Sequence, residues 1–222
     1  MDNGRRQSQA SRLSFADRFE LRFSTGKWVD GLWIGTFESA AEPILLRVEN
    51  ALRLIETHDP RRYSRLIGDL ARVWVRLLTG PVARFSHALR ACELDTRFVL
   101  ADSSSPDVIA ATIVHEATHA RLWRAGIGYR EEVRARVEAV CTRRELAFAA
   151  RLPDGARLRE TLRASQFPPD FWTNWAFRER DLHGTIQALR HLGTPDWLVK
   201  AVLAARAVRI ALITFVRGLT SR

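Results

Sequence analysis

Two histidines four positions apart, with a glutamate beside the first, carry the strongest chemical signal in this sequence. They are His115, Glu116 and His119, in a His-Glu-x-x-His pattern within an apolar run. On a helix, residues four apart lie on one face, so both imidazoles can bind a single metal ion. Glu116 can then act as general base toward a water at that ion, because zinc acidifies its water when one coordination position stays open. The pattern predicts a zinc site with its own base.

The flanking sequence places this pattern in the middle of a helix. A serine run ending at Ser105 supplies a capping residue, and Pro106 follows where a helix would begin. Gly126 and Gly128 end the helix after the motif. Apolar residues repeat at helical spacing between these limits: Val108, Ile109, Ile113 and Val114. The competing interpretation is a pair of polar histidines on a solvated helix face, without a metal.

A zinc site needs a third protein ligand, and the helix after the glycine turn offers four glutamates: Glu131, Glu132, Glu138 and Glu145. A helix that returns antiparallel after a short turn brings its middle level with His119, which favours Glu138. We interpret Glu131, Glu132 and Glu145 as partners of nearby arginines on a solvated face, and the same pairing is the alternative for Glu138. Those arginines are Arg134, Arg136, Arg143 and Arg144.

His115, Glu116 and His119, with Glu138 lying 19 positions after His119, make the chain resemble a zincin metallopeptidase of the gluzincin type. The resemblance covers roughly residues 72–150. It implies that His115, His119 and Glu138 bind Zn²⁺ and that Glu116 is the general base in the hydrolysis of a peptide or protein substrate.

This sequence departs from the resemblance at one position. Gluzincins often place an aspartate four residues after the glutamate ligand, to orient a zinc histidine, and this chain has Thr142 there. Another residue must then orient the zinc-binding histidine, or the histidine is held less firmly. For the residue that stabilises the oxyanion, residue type alone points to His183 or Tyr129.

The rest of the pattern predicts an α+β fold, predominantly α and zincin-like, with a small sheet ahead of the motif helix and a helical C-terminal part. Residues 1–14 are polar and basic and predict a disordered tail. Residues 15–222 predict a single domain, with a metal-site core at 72–150 and a helical C-terminal subdomain at 156–222.

Individual elements can be assigned from periodicity and turn residues. Helices are predicted over 38–57, 62–70 and 129–150, and a strand over 72–78. An apolar run at 97–100 precedes the motif helix. Alternation over 19–23, followed by 28–34, suggests a hairpin or two extended pieces. A strand edge beside the metal would let an extended substrate bind as an added strand.

Charge and cysteine usage limit the remaining functions. The net charge is +10, but the arginines are scattered along the chain, which argues against a dedicated nucleic-acid groove. Cys92 and Cys141 are too few for a disulfide scaffold and lack Cys-x-x-Cys spacing. The N-terminus has no apolar core typical of a secretory signal, so we expect a cytoplasmic protein.

An apolar segment, Leu198 to Val216, lies near the C-terminus. Arg206 and Arg209 interrupt it, and each charge at the centre of a membrane span costs about 2.5–3.5 kcal/mol, which argues against a span. A buried or partner-facing helix is expected, and peripheral membrane contact stays open. With the chain's seven tryptophans, this segment supports a second hypothesis, a non-catalytic binding or regulatory module that acts through its C-terminal helices.

Overall fold

The computed structural model describes residues 14–164 and 167–205, in which a mixed sheet is combined with helices. The strands are β1 (Thr25–Val29), β2 (Leu32–Thr36), β3 (Arg72–Arg76), β4 (Ala83–Ser86) and β5 (Ala91–Asp95). The helices are α1 (Phe15–Phe23), α2 (Ala41–His58), α3 (Pro60–Asp69), α4 (Thr96–Leu100), α5 (Pro106–Arg124), α6 (Glu131–Ala149), α7 (Gly155–Ala164) and α8 (Asn174–His191). A 3-10 turn covers Pro169–Trp172, and residues 196–205 are helical. The predicted α+β class, predominantly α, is confirmed.

The five strands form one sheet in the order β1-β2-β3-β5-β4. The three inner strands run parallel, with Gly35 opposite Trp74 and Val75 opposite Leu94. β1 and β4 run antiparallel to their neighbours and form the two edges. Parallel strands need crossover connections, and α2 with α3 supplies the one between β2 and β3.

The larger of the two hydrophobic clusters among the described residues fixes the orientation of α5. Ile109 and Ile113 of this helix are fully buried together with Ile44 and Leu52 of α2 and Val73 of the sheet. His115 and His119 are each only partly buried. Burial of the apolar stripe therefore determines which way the two histidines point.

The prediction for the N-terminal region was wrong in part. Residues 19–23 belong to helix α1, and the hairpin is formed by β1 and β2 instead. Its turn lies at Asp30 and Gly31, whose φ angles are 49° and 84°. A two-residue turn with both φ angles positive matches the twist of paired strands, and Asp-Gly is a preferred sequence for it. The alternation over 19–23 thus carried no strand information.

Two strands near the motif helix were missed. All five residues of β5 are buried, so its sequence does not alternate between apolar and polar residues. β4 has only four residues and follows a loop. The apolar run at 97–100 forms helix α4, whose first turn is capped by the side chain of Asp95. Helices α2, α3 and α6 and strand β3 agree with the predicted ranges to within a few residues.

Two predictions concern parts of the chain outside the described residues. The predicted tail, 1–14, is described only at Ser14, whose side chain caps α1 by accepting a hydrogen bond from the Asp17 backbone N–H. The apolar C-terminal segment is described only up to residue 205. Within the described ranges, no helix has the length and apolar character needed to cross a membrane. Cytoplasmic localisation stays a prediction.

Candidate metal centre

The turn between α5 and α6 brings the two helices alongside each other. Gly126 has a φ of 79°, a left-handed conformation that glycine adopts without strain. The backbone N–H of Gly126 donates to the Trp123 oxygen, and that of Ile127 donates to the Leu122 oxygen. This pair of bonds is the Schellman arrangement that closes a helix. α6 begins four residues later and packs along α5.

Glu138 of α6 faces both histidines of the motif. Its Oε2 lies 3.2 Å from His115 Nε2, and its Oε1 lies 3.4 Å from His119 Nε2. Zinc bonds of about 2.1 Å at tetrahedral angles would place neighbouring ligand atoms about 3.4 Å apart. Both separations are close to that value, one for each oxygen of the Glu138 carboxylate. The structure brings together all three residues predicted as ligands.

Glu145 corrects the prediction that it pairs with arginines on a solvated face. Only 7% of this residue is exposed, and its Oε2 lies 3.1 Å from His115 Nδ1. Glu145 follows Glu138 by seven residues, about two helical turns, so both carboxylates lie on the same face of α6. His115 thus has a carboxylate at each ring nitrogen. The chain places a carboxylate behind the first histidine although Thr142 occupies the position of the aspartate found in gluzincins.

Glu131 also has a different partner from the one predicted. Its carboxylate accepts hydrogen bonds from the backbone and side chain of Asn174, at the start of α8. Arg134 is buried and donates to the Trp172 carbonyl and the Asn174 side chain. These contacts attach the 3-10 turn and α8 to the first turns of α6, so residues from the C-terminal part of the chain reach the site.

The electrostatics of the cluster follow from burial and close opposite charges. Burial lowers the pKa of His115, but hydrogen bonds to Glu138 and Glu145 raise it by more, so the net pKa is well above the ordinary value. Burial raises the pKa of Glu138, but hydrogen bonds with His115 and His119 lower it further, to well below the ordinary value. Glu138 is therefore an anion at neutral pH, the form that a metal requires.

Glu116 has the opposite shift. The residue is buried, which raises its pKa, and the nearby imidazoles of His119 and His115 oppose that rise without cancelling it. A carboxylate with a raised pKa is a better proton acceptor, and a general base works best when its pKa approaches the working pH. Glu116 is thus the carboxylate at this centre whose environment favours proton transfer.

Cys141 is a feature of the centre that the sequence analysis did not assign. Its Sγ and the ring nitrogens of His115 and His119 form a group of potential metal ligands within 4.8 Å of one another. The thiol is fully buried, and burial raises its pKa, with the carboxylates of Glu138 and Glu116 adding to the effect. A thiolate is the form that binds metal, so this environment disfavours Cys141 as a ligand relative to Glu138. The sequence signal that could have identified Cys141 is its position, about one helical turn after Glu138.

Two cavities meet at the centre. The first, of about 570 Å³, has aromatic walls that include Phe85, Trp123 and Phe177. The second, of about 650 Å³, has both apolar and polar side chains in its lining, among them Leu146, Trp172, Arg136 and Arg143. Both are lined by His115, Glu116 and Glu138. Glu116 therefore lies where the linings of the two cavities overlap.

Strand β4 runs along these cavities with one edge free of any other described strand. The Asp95 N–H donates to the Val82 oxygen just before the strand begins. Because hydrogen-bonded and non-bonded pairs alternate along an antiparallel ladder, Arg84 is bonded to β5 while Ala83 and Phe85 direct their backbone groups to the open edge. A strand edge therefore flanks the motif, and it belongs to β4, one of the two strands that the sequence analysis missed.

The two candidates for oxyanion stabilisation differ in position. The Tyr129 hydroxyl donates a hydrogen bond to Glu138, and its ring lies edge-on to His119 with 5.3 Å between centroids. His183 is exposed on α8, bonds through Nδ1 to the Glu179 carbonyl at 2.9 Å and lines neither cavity. His87, which no motif marked, lies in the first cavity between the rings of Phe85 and Trp123.

The centre thus combines three candidate metal-binding side chains, a buried carboxylate with a raised pKa, and two cavities that share this carboxylate in their linings. Comparison of the chain with protein-family models, with curated proteins and with solved structures gave no significant match.

Proposed function

We propose that this protein is a zinc-dependent peptidase. The observation that carries the proposal is the approach of the Glu138 carboxylate to His115 Nε2 at 3.2 Å and to His119 Nε2 at 3.4 Å. Glu116 lies one residue after the first of these ligands, where the two cavities meet. Two neutral imidazoles and a carboxylate are the donor set of many catalytic zinc sites, which keep the fourth position open.

Bound zinc would supply Lewis-acid chemistry, lowering the pKa of a water and polarising the carbonyl of the substrate. Glu116 takes a proton from the attacking water as the new C–O bond forms at the scissile carbonyl. The same carboxyl group then gives its proton to the leaving nitrogen as the C–N bond breaks. Its raised pKa favours holding that proton between the two steps.

The other carboxylate and the tyrosine near the ligands position them. Glu145 accepts a hydrogen bond from His115 Nδ1, which fixes the tautomer that leaves Nε2 free for the metal. Tyr129 donates to Glu138 Oε1 and limits rotation of that carboxylate. In these roles neither group reacts; each reduces the freedom of a ligand.

A polypeptide is the substrate that best fits the surroundings of the centre. The free edge of β4 offers the backbone groups of Ala83 and Phe85 to an added strand, which supplies affinity independent of side chains. Cavities on both sides of Glu116 accommodate side chains before and after the scissile bond. A small substrate would occupy only one of the two cavities.

The alternative is a protein that keeps its metal but acts as a binding module through its C-terminal helices. Two exposed tryptophans favour it: Trp175 at the start of α8 and Trp197 in helix 196–205 are 72% and 70% exposed. A binding module has no need for a free strand edge and open cavities at the metal centre. We therefore favour catalysis.

Metal analysis of purified wild type, His119→Ala and Glu138→Ala tests the proposal, with the exposed Glu132→Ala on the same helix as control. We expect about one zinc per chain in wild type and control, and loss of zinc in the other two. Zinc-loaded wild type should also hydrolyse unfolded polypeptides in a chelator-sensitive manner. Folded wild-type protein that takes up no zinc would refute the proposal, and zinc binding without hydrolysis would favour the binding module.

A further inference from the structure

The two sides of the cleft differ in charge. Arg136 and Arg143 line the second cavity from the surface of α6, seven positions apart and therefore about two turns apart on one side of the helix. Both are exposed, and neither forms an ion pair with a carboxylate within residues 14–164 and 167–205. Three carboxylates line the same cavity, those of Glu116, Glu138 and Glu145, but they are buried beside the histidines and form no ion pair with either arginine. The two guanidinium groups are therefore available to a ligand at the cleft.

Two arginines, Arg84 and Arg180, also line the first cavity, and other groups engage both. Arg84 forms an ion pair with Glu93. Arg180 stacks over the Phe171 ring with 3.6 Å between the guanidinium carbon and the ring centroid. It also donates a hydrogen bond to the Phe171 carbonyl at 2.8 Å. Around it lie the aromatic rings of Trp123, Phe85 and Phe177. This side is suited to a large apolar side chain.

The direction of β4 relates the two cavities to the direction of a bound polypeptide. β4 runs from Ala83 to Ser86. Both cavities include Ala83 in their lining, but along the strand only the first continues to Arg84 and Phe85; it also reaches Gly80 and Pro81 before the strand begins. Antiparallel pairing is slightly more stable per residue than parallel pairing. A chain added antiparallel to β4 itself therefore passes Phe85 and the aromatic cavity before it reaches Ala83, where the arginine-lined cavity begins.

We propose that the preferred substrate is an acidic polypeptide segment, with a large apolar residue before the scissile bond and an aspartate or glutamate within the two residues after it. This inference rests on the proposed peptidase function. Hydrolysis adds the hydroxyl of water to the apolar side of the bond and a proton to the amine of the acidic side. Arg136 and Arg143 bind the acidic side chain of the carboxyl-terminal product, the fragment that carries the new amino group.

A set of matched peptides tests the specificity. Each has a central phenylalanine followed by two positions that carry glutamate, alanine or lysine, and the zinc-loaded full chain is assayed for kcat/KM with products identified by mass. Wild type should cleave after phenylalanine and prefer glutamate over lysine by about tenfold, since exposed charge pairs of this kind contribute modestly. The preference should shrink at high salt, because exposed charges are screened.

Charge reversal supplies the decisive comparison. R136E/R143E should lose the preference for glutamate and favour lysine, whereas R144E, on the same helix but lining neither cavity, should behave as wild type. The Glu116→Gln variant provides a readout without turnover: its affinity for the fluorescent glutamate peptide should fall about tenfold when R136E/R143E is added.

The outcomes separate this inference from the function on which it rests. Cleavage of all peptides at equal rates, cleavage with the acidic residue before the bond, or an acidic preference that survives charge reversal would overturn the inference and leave the peptidase function standing. Zinc-loaded protein that hydrolyses none of the peptides would refute both.

Discussion

The carboxylate of Glu145 lies 3.1 Å from Nδ1 of His115, on the opposite side of the imidazole ring from Glu138, which lies 3.2 Å from Nε2. Both carboxylates come from α6, about two turns apart, and both are buried. One helix thus supplies a proposed metal ligand and the group that orients another ligand. In the proposed site, Glu145 would orient a metal-binding histidine, as an aspartate four residues after the glutamate ligand often does in gluzincins.

Glu145→Ala should weaken zinc binding by about 10- to 100-fold, because an imidazole without its orienting carboxylate loses its fixed tautomer and orientation. Glu145→Gln should lose less, since the amide oxygen can still accept from Nδ1. Competition with a chelator of known zinc affinity measures both effects, and Glu132→Ala is the matched control. Equal affinity in Glu145→Ala and wild type would show that the contact does not support the metal.

Glu116→Gln should leave zinc binding intact and lower kcat by about 100- to 10,000-fold, the usual contribution of a positioned general base. Glutamine has nearly the same shape but cannot accept the proton. Zinc content and peptide hydrolysis are measured on the same preparation, so that loss of metal is not mistaken for loss of the base. Unchanged turnover would exclude Glu116 as the base.

Cobalt substitution distinguishes the two candidates for the third ligand. A thiolate bound to Co²⁺ gives an intense charge-transfer band in the near ultraviolet, whereas nitrogen and oxygen ligands do not. Because burial raises the pKa of Cys141 and Glu138 is anionic, we expect no such band and an unchanged spectrum in Cys141→Ser. A band in wild type that disappears in Cys141→Ser would assign the third ligand to the thiol.

The sequence was sufficient for the parts of the site that depend on local helical geometry. A proline start, an apolar stripe and a glycine stop predict helix α5. Glu138 could be predicted as a ligand because the next helix runs back antiparallel to α5 after a short turn. Glu145 shares the helical face of Glu138, but neighbouring arginines suggested a solvated face. Arg143 and Arg144, next to Glu145, are exposed, and helical position alone did not reveal which face of α6 is covered by α5.

The cleft walls could not be read from local patterns. β4 is a short strand whose place at the sheet edge depends on its pairing with β5. His87 and Phe177 both line the first cavity although they are far apart in the sequence. Such contacts join residues far apart in sequence and have no fixed spacing. The error at 19–23 has a local origin, because five residues are too few to distinguish the strand period from the helix period. In α1, Phe19 and Phe23 are neighbours on one face with 4.7 Å between ring centroids, whereas Leu21 packs against the Trp74 cluster.

Gly184 should tolerate no side chain, because a Cβ there would lie 2.6 Å from the backbone of Gly80 in the wall of the first cavity. Gly184→Ala should therefore lower the free energy of unfolding by about 1–3 kcal/mol through overpacking. Gly68→Ala is the matched control: nothing lies within 4 Å of the new Cβ, and alanine favours helix α3, so stability should rise by about 0.5–1 kcal/mol. Thermal unfolding that shifts both variants in the same direction would contradict this packing.

Asp95 gives a prediction for stability against pH. Burial raises the pKa of its carboxyl, but hydrogen bonds from the Arg97 side chain and from the Leu78 and Arg97 backbone lower it further, to below the ordinary value of 3.8. These bonds hold the segment before β4 against β5: the Leu78 N–H donates to Oδ2 at 3.0 Å, and the Arg97 guanidinium bonds both oxygens. The carboxylate is thus a stabilising group only while it is charged.

Because the folded-state pKa is depressed, the contribution of Asp95 is fully present above the ordinary pKa of 3.8 and is lost as the pH falls through the folded value. Asp95→Asn should cost about 1–3 kcal/mol at neutral pH, since the amide cannot accept all the hydrogen bonds that Arg97 and Leu78 donate. The difference from wild type should narrow below pH 3.8. Urea unfolding across this range measures it, with the exposed Asp102→Asn as control. A difference that stays constant with pH would show that the Asp95 carboxyl keeps the same pKa in the folded and unfolded chains.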